Sequence, residues 1–459
     1  MINKSIVEDI FHQALSLGGD FAEVFLEDNF TTELATVDGK IERGMSGRDY
    51  GIGIRIFSGL RSVYGYSNKT DIKTLLDLTR KLSLALKGQA NLDFSLNKEV
   101  SPVLHPASIL PSTVDFSKKI DFTRRAFSAA RAFDPMISQV TVNHLDQEQN
   151  VLIANTEGVF VEDRRIRTRM LISVAAQNGK VIETGYIGPG ALKGLEFYDE
   201  ISIEDYAREA ARNAKVMALA DYCPSGNMPV VVDNGFGGLM FHEACGHSLE
   251  ASSVAKGISV FSNRLGEKVA SDLVTLVDDG SIINSWGSLG VDDEGMRTQK
   301  NYLIEAGILK SYMIDKLNAR RMGLEPTASG RRQNYRFAPT SRMTNTYIDN
   351  GDSTREEIIS STERGLFAKN ISAGSVNPAT GDFNFSLSEA YLIEDGKITK
   401  PVKGATLIGN GAQILRDVDM VADNLKIGQG YCYAGSGALF IGAGQPTIRV
   451  RSMTVGGRK

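Results

Sequence analysis

The chain has 459 residues, 42% of them apolar and 23% charged, with a net charge of −4. That balance is ordinary for a soluble globular protein, and it lacks the basic excess that nucleic acid or an anionic membrane would call for. Three cysteines make no disulfide framework and point to a reducing cytoplasm, and no apolar run reaches the roughly eighteen residues that span a bilayer.

In chain order, the first expected element is an amphipathic helix opened by a Ser5/Glu8 capping box, with Phe11, Ala14 and Leu15 on its apolar stripe. The opening residues lack the apolar core of a secretory signal. Alternating strands are expected at 21–26, 32–37, 40–43, 50–57 and 60–66, with Asp38-Gly39 as a hairpin turn. A helix at 69–86 leads into an aperiodic, proline-containing linker at 89–113. The pattern then recurs: a helix at 116–133, strands at 137–144, 151–155, 158–176 and 180–188, and a helix at 203–219.

Cys223-Pro224-Ser225-Gly226 breaks the chain, which sets the main domain boundary there. The expected organisation is an N-terminal region, 1–222 (subsegments 1–88 and 114–222 joined by the linker), and a C-terminal domain, 223–459. Beyond the boundary, helices at 315–321 and 354–364 stand among many short strands. Strand and helix signals do not alternate as βαβ units, so the fold class is α+β with mainly antiparallel sheets: a mixed N-terminal region and a strand-rich C-terminal domain.

Chemistry concentrates at Phe241–Glu250, FHEACGHSLE, where two of the five histidines flank a glutamate as His242-Glu243-x-x-x-His247. Neutral imidazoles hold zinc, and a carboxylate beside them can take a proton from water. A five-residue step on a straight α-helix separates two side chains by roughly 140°. One π-type turn would bring them to within roughly 50°, and Gly246 eases such a distortion. The predicted element is therefore a helix locally widened near Gly246.

A zinc site needs a third protein ligand. Glu250, Asp278, Asp279, Asp292, Asp293 and Glu294 are the nearby carboxylates, while His12, His105 and His144 fall in other segments. Cys245 projects from a different part of the helix and reads as a small buried hydrophobe. Cys432 is a stronger candidate, a thiol in the glycine-rich run GQGYCYAGSG.

The motif has company. FHEACGHSLE, SVFSNRLGEKVAS, VDDEGM, LIEAGILKSYMIDKLNARRMG, SRMTNTY, SEAYLIEDGKITKPVKGATLIG and GQPTIRVRSMTVGG, in this order between Pro229 and Gly457, resemble the TldD/PmbA family on its TldD side. The resemblance implies a zinc metallopeptidase in which His242 and His247 are zinc ligands, Glu243 is the general base and Cys432 is the third ligand. Cys245 and the carboxylates then leave the ligand set. Cys245 departs from the family pattern, where an apolar residue is expected.

Keeping the histidine pair marks the metal-bearing type, as opposed to the metal-free PmbA (TldE) type. The resemblance further implies a dimer, as a heterodimer with a metal-free paralogue or as a homodimer. Unfolded or short peptides would be bound in extended form inside an enclosed cavity. An extended peptide would add to a sheet edge, at 383–392 or 428–433. Two other readings are carried: a catalytically silent, metal-stabilised peptide-binding subunit, and a zinc amidohydrolase acting on a small molecule.

Smaller features have plainer readings. Asp278-Asp279-Gly280 is a turn. Gly428/Gly430 and Gly435/Gly437 are turns or close approaches, since no nucleotide-loop context follows them. Arg331 and Arg332 either meet a peptide carboxylate or form a solvated basic loop. Tyr335 and Tyr347 either stabilise an oxyanion or pack in the core.

Overall fold

A computed structural model describes residues 2–86, 94–100, 105–377 and 380–457. The N-terminal region comprises α1 (Lys4–Leu15), β1 (Phe21–Val37), β2 (Lys40–Ser58), β3 (Arg61–Ser67), α2 (Ile72–Leu84), β4 (Asn97–Val100), α3 (Phe116–Arg131), β5 (Ile137–Asn155), β6 (Val159–Asn178), β7 (Val181–Ile187), β8 (Gly190–Ala191), α4 (Phe197–Glu200) and α5 (Ile203–Leu219). Its strands form one sheet in the order β3-β2-β1-β5-β6-β4, with β7 and β8 attached to β6. The pairs are antiparallel except β4 with β6.

Three local expectations change. The cap of α1 is Asn3, whose side chain accepts from the Ile6 amide at 3.0 Å; Ser5 already lies inside the helix. The strands expected at 21–26 and 32–37 are one continuous β1, and those at 137–144 and 151–155 are one continuous β5. The stretches left between them hold polar residues such as Glu27 and Gln149, which are paired side chain to side chain across the sheet at 2.9 Å. The linker at 89–113 lies partly outside the described residues. Within it, β4 and a 3₁₀ turn at Pro111–Thr113 are formed.

Pairing of β1 with β5 makes one sheet of the two N-terminal subsegments. Helices α1 and α2 bury the apolar face around Val24, Ile54 and Leu152, while α3 and α5 bury the face around Val142 and Ile172.

After β9 (Asp221–Tyr222) come β10 (Gly226–Val232), α6 (Leu239–Ala244), α7 (Ala251–Val254), β11 (Leu276–Asp279), β12 (Lys300–Glu305), β13 (Ile308–Leu309), α8 (Lys316–Met322), β14 (Gly330–Arg331), β15 (Thr340–Ser341), β16 (Asn345–Ile348) and α9 (Arg355–Ser360). The chain finishes with β17 (Arg364–Val376), β18 (Asp382–Glu394), β19 (Lys397–Lys403), β20 (Thr406–Asn410), α10 (Gly411–Asp417), β21 (Val418–Val421), β22 (Lys426–Ala434), β23 (Gly437–Gln445) and β24 (Ile448–Gly456). They build a second sheet, β17-β10-β24-β20-β18-β19-β9 with β21 on β24, and a third, β13-β12-β11-β16-β23-β22.

Helix α6 lies between these two sheets, touching β17 and β18 on one and β16 and β23 on the other. Its Met240, Phe241 and Ala244 are buried in the core they enclose. The architecture is mixed helix and strand, and rich in strand. Among the described residues, no helix is long and apolar enough to cross a membrane.

Candidate metal centre

The site begins where α6 is seated. At Gly238, which opens the helix, a side chain would collide with the backbone of Gly444 on β23, so only glycine lets the helix approach the sheet this closely. The helix then ends after six residues. Cys245 leaves helical geometry (φ −123°, ψ −45°), and the chain resumes as a 3₁₀ turn over Gly246–Leu249.

This corrects the expected π-type widening. The histidines are brought together by a break and a tighter turn, not by a wider one. At Gly246 a Cβ would overlap Met343 Sδ, so the break is also sterically tied to its surroundings.

The result is a convergence. Ligand atoms of His242, Glu243, His247 and Cys432 all lie within 4.8 Å of one another. Cys432 arrives on β22, the outer strand of the third sheet, with Sγ 3.2 Å from His247 Nε2. Glu243 Oε2 is 3.5 Å from the same nitrogen, and the two imidazole rings meet edge to face with centroids 5.3 Å apart. The other ring nitrogen of His247, Nδ1, lies 3.1 Å from Glu250 Oε1.

The electrostatics follow from burial. His242 is 1% exposed, yet neither of its ring nitrogens has a hydrogen-bond partner among the described residues. Burial drives its pKa well below the ordinary value, helped by His247, Arg342 and Arg331, so the ring is neutral with a free lone pair. Burial also raises the Glu243 carboxyl, with Glu250 adding to the effect against His247 and Arg342. For His247, burial opposes the charge, but Glu250 and Cys432 outweigh it and hold the pKa well above the ordinary value. That ring must release a proton before Nε2 can ligate.

Two imidazoles and a thiol are a donor set suited to zinc, and two buried ring nitrogens without partners are the kind of atoms a ligand satisfies. The residues present therefore fit a zinc ion.

Other candidate residues lie elsewhere. Cys245 is fully buried, its Sγ 3.5 Å from the Gly411 carbonyl, and burial pushes its thiol well up. His144 bridges Tyr198 and Asp146, and His105 accepts from the Asn284 amide. His12 packs on the ring of Phe94. Asp278 accepts from Thr344 and Thr346, and Asp279 turns the chain by accepting from Ser281.

Arg331 and Arg332 form no solvated loop and meet no open site. Both are buried, Arg331 on the carbonyls of Met343 and Phe440 and Arg332 against Glu23. Tyr335 hydrogen-bonds Asp49 at 3.1 Å, away from the site, and Tyr347 is buried on β16. Of the two edges considered for a peptide, the 383–392 stretch is interior, since β18 is flanked by β17 on one side and by β19 and β20 on the other. Arg342, which lies beside Glu250, carried no signal in the sequence.

The chain belongs to the PmbA/TldD metallopeptidase family. Models described as PmbA/TldA metallopeptidase domain 1, central domain and C-terminal domain match residues 22–86, 109–218 and 225–457. A metalloprotease TldD homolog from Haemophilus influenzae is 39% identical over 95% of this chain and 93% of its own length. A zinc metalloprotease TldD homolog from Saccharolobus solfataricus is 25% identical over 74% of this chain and 76% of its own. The fold is shared with a crystal structure from Thermotoga maritima at a TM-score of 0.81 and 20% identity, covering 99% of this chain and all of that one.

Proposed function

We propose that the chain is a zinc peptidase acting on unfolded or short peptides, with Glu243 as general base and His242, His247 and Cys432 as the zinc ligands. The observation that carries this reading is the meeting of those four side chains around buried nitrogens that lack any partner. When bound there, zinc supplies Lewis acidity, making water acidic near neutrality and polarising a carbonyl.

The protein's own groups do the rest. Glu243 Oε2 takes the proton of the attacking water and returns it to the leaving amine. Its burial suits this role, because a raised pKa helps the carboxyl hold the proton between the two steps. Glu250 accepts from His247 Nδ1 and so turns Nε2 towards Cys432.

The substrate strand is placed along β22. That strand ends its sheet, and the carbonyls of Gln429 and Gly430 are taken by Arg169 and Trp286. Tyr431–Ala434, beside Cys432, is the stretch where a peptide backbone would pair, giving affinity with little demand on sequence. We assign the working form to a dimer, with a metal-free paralogue or a second copy closing the cavity.

The test is Glu243→Ala, assayed against a peptide panel with and without the metal-free paralogue. Cleavage should fall by about 10²-fold or more while zinc content is unchanged. Cleavage that survives this substitution would remove Glu243 as the base. Cleavage of small amides in preference to peptides would favour an amidohydrolase.

A further inference from the structure

Glu250 and Arg342 are buried and charged, and the proton-transfer chemistry uses neither directly. Glu250 is 5% exposed and Arg342 is 1% exposed. One Glu250 oxygen, Oε1, is hydrogen-bonded to His247 Nδ1 at 3.1 Å and lies 3.5 Å from Arg342 Nε, a charge-pair contact without a hydrogen bond. No other carboxylate of the described residues lies within ion-pair distance of Arg342. The far end of the same guanidinium, Nη1, donates to Ser436 Oγ at 3.2 Å and to the Gly437 carbonyl at 3.5 Å. Ser436 lies in the turn between β22 and β23 and Gly437 opens β23, while β22 carries Cys432.

One arginine therefore braces both halves of the ligand set. Through Glu250 it fixes the ring of His247, and through the turn it fixes the strand that delivers the thiol, although Cys432 and His247 are 185 residues apart in the chain. A carboxylate on the distal nitrogen of a ligating histidine sets the tautomer and the ring orientation, leaving the other nitrogen's lone pair aimed at the metal. Arg342 attracts that carboxylate across 3.5 Å and balances its charge in a buried setting.

Resting on the zinc-site reading above, we propose that Glu250 and Arg342 are a positioning pair that sets the zinc affinity of the site by coupling the His247 turn to the Cys432 hairpin.

The experiment is a competition titration of zinc against a chromophoric chelator, with the full chain and its Glu250→Ala, Glu250→Gln and Arg342→Met variants. Glu250→Ala should weaken zinc binding by about 10- to 100-fold. Glu250→Gln keeps an oxygen to accept from Nδ1 and should recover most of that loss. Arg342→Met should weaken binding and also shift the thiolate-to-metal charge-transfer band of the cobalt-substituted protein, because the Cys432 hairpin loses its brace.

If Glu250→Ala fails to fold, Glu250→Asp, which withdraws the carboxylate by one methylene, carries the same test with a several-fold loss expected. Folded variants that melt lower but bind zinc within twofold of the parent would overturn the proposal and leave the pair a purely structural one. A parent chain that binds no zinc would overturn the zinc-site reading itself, and this proposal with it.

Discussion

Cys432 shows how much of a site depends on one residue's surroundings. It is a 4% exposed thiol on a glycine-rich strand, and its significance comes from lying 3.2 Å from His247 Nε2. Cys245, two positions before His247, is equally buried but its thiol donates to the carbonyl of Gly411, the first residue of α10. Cys432→Ser should therefore weaken zinc binding by more than the roughly 10- to 100-fold typical of losing an outer partner, whereas Cys245→Ala should leave it unchanged; equilibrium zinc titration checks both. The histidine pair and Glu243 were legible in the sequence because their signal is local, within six residues. Arg342 was not, because its role arises only where Glu250, beyond the turn that follows α6, meets the β22–β23 hairpin.

At the scale of elements, the short helix α6 is shaped by its neighbours. The five-residue spacing demands some departure from a straight helix, and the sequence alone pointed to a wider turn. Packing selects a break at Cys245 instead, because the Gly246 backbone lies directly against Met343. Gly246→Ala should then cost about 1–3 kcal/mol of stability through overpacking and also weaken zinc binding, with Met343→Ala restoring much of both. Thermal melts and zinc titration of the single and double variants would decide this. The long strands teach a related lesson: Glu27 and Gln149 fall in the gaps between the expected strands, yet they hydrogen-bond each other inside the sheet. Polar residues break a strand pattern only when they lack a partner, and partners are set by register.

For the whole molecule, a buried ionic cluster ties the N-terminal sheet to the C-terminal region. Arg55 on β2 bridges Glu23 and Glu294, Arg332 meets Glu23, and Arg165 on β6 bridges Asp163 and Asp293. Glu27 sits at the same junction, accepting from the Tyr335 amide at 2.9 Å, and burial raises its pKa to about 7. The native protein thus keeps this proton through a range in which the unfolded chain has lost it. Its contribution should make stability fall by about 3 kcal/mol as pH rises from about 4.5 to about 7, and stay level above that. Glu27→Gln, whose oxygen can accept from the Tyr335 amide while its NH2 donates to a Gln149 turned to present its oxygen, should flatten this part of the pH profile in denaturant titrations. An unchanged slope would show that Glu27 is ionised throughout.

The sequence by itself determined the candidate donor residues, the amphipathic helices, the strand-rich mix of helix and strand and the family, because each is written in local periodicity or in contiguous blocks of residues. Tertiary structure decided which thiol stands beside the histidines, how the motif bends, which strands run unbroken and where the buried arginines find their charges. Those outcomes depend on segments far apart in the chain packing against one another, and a distant partner leaves no mark on the spacing of the residues it will meet.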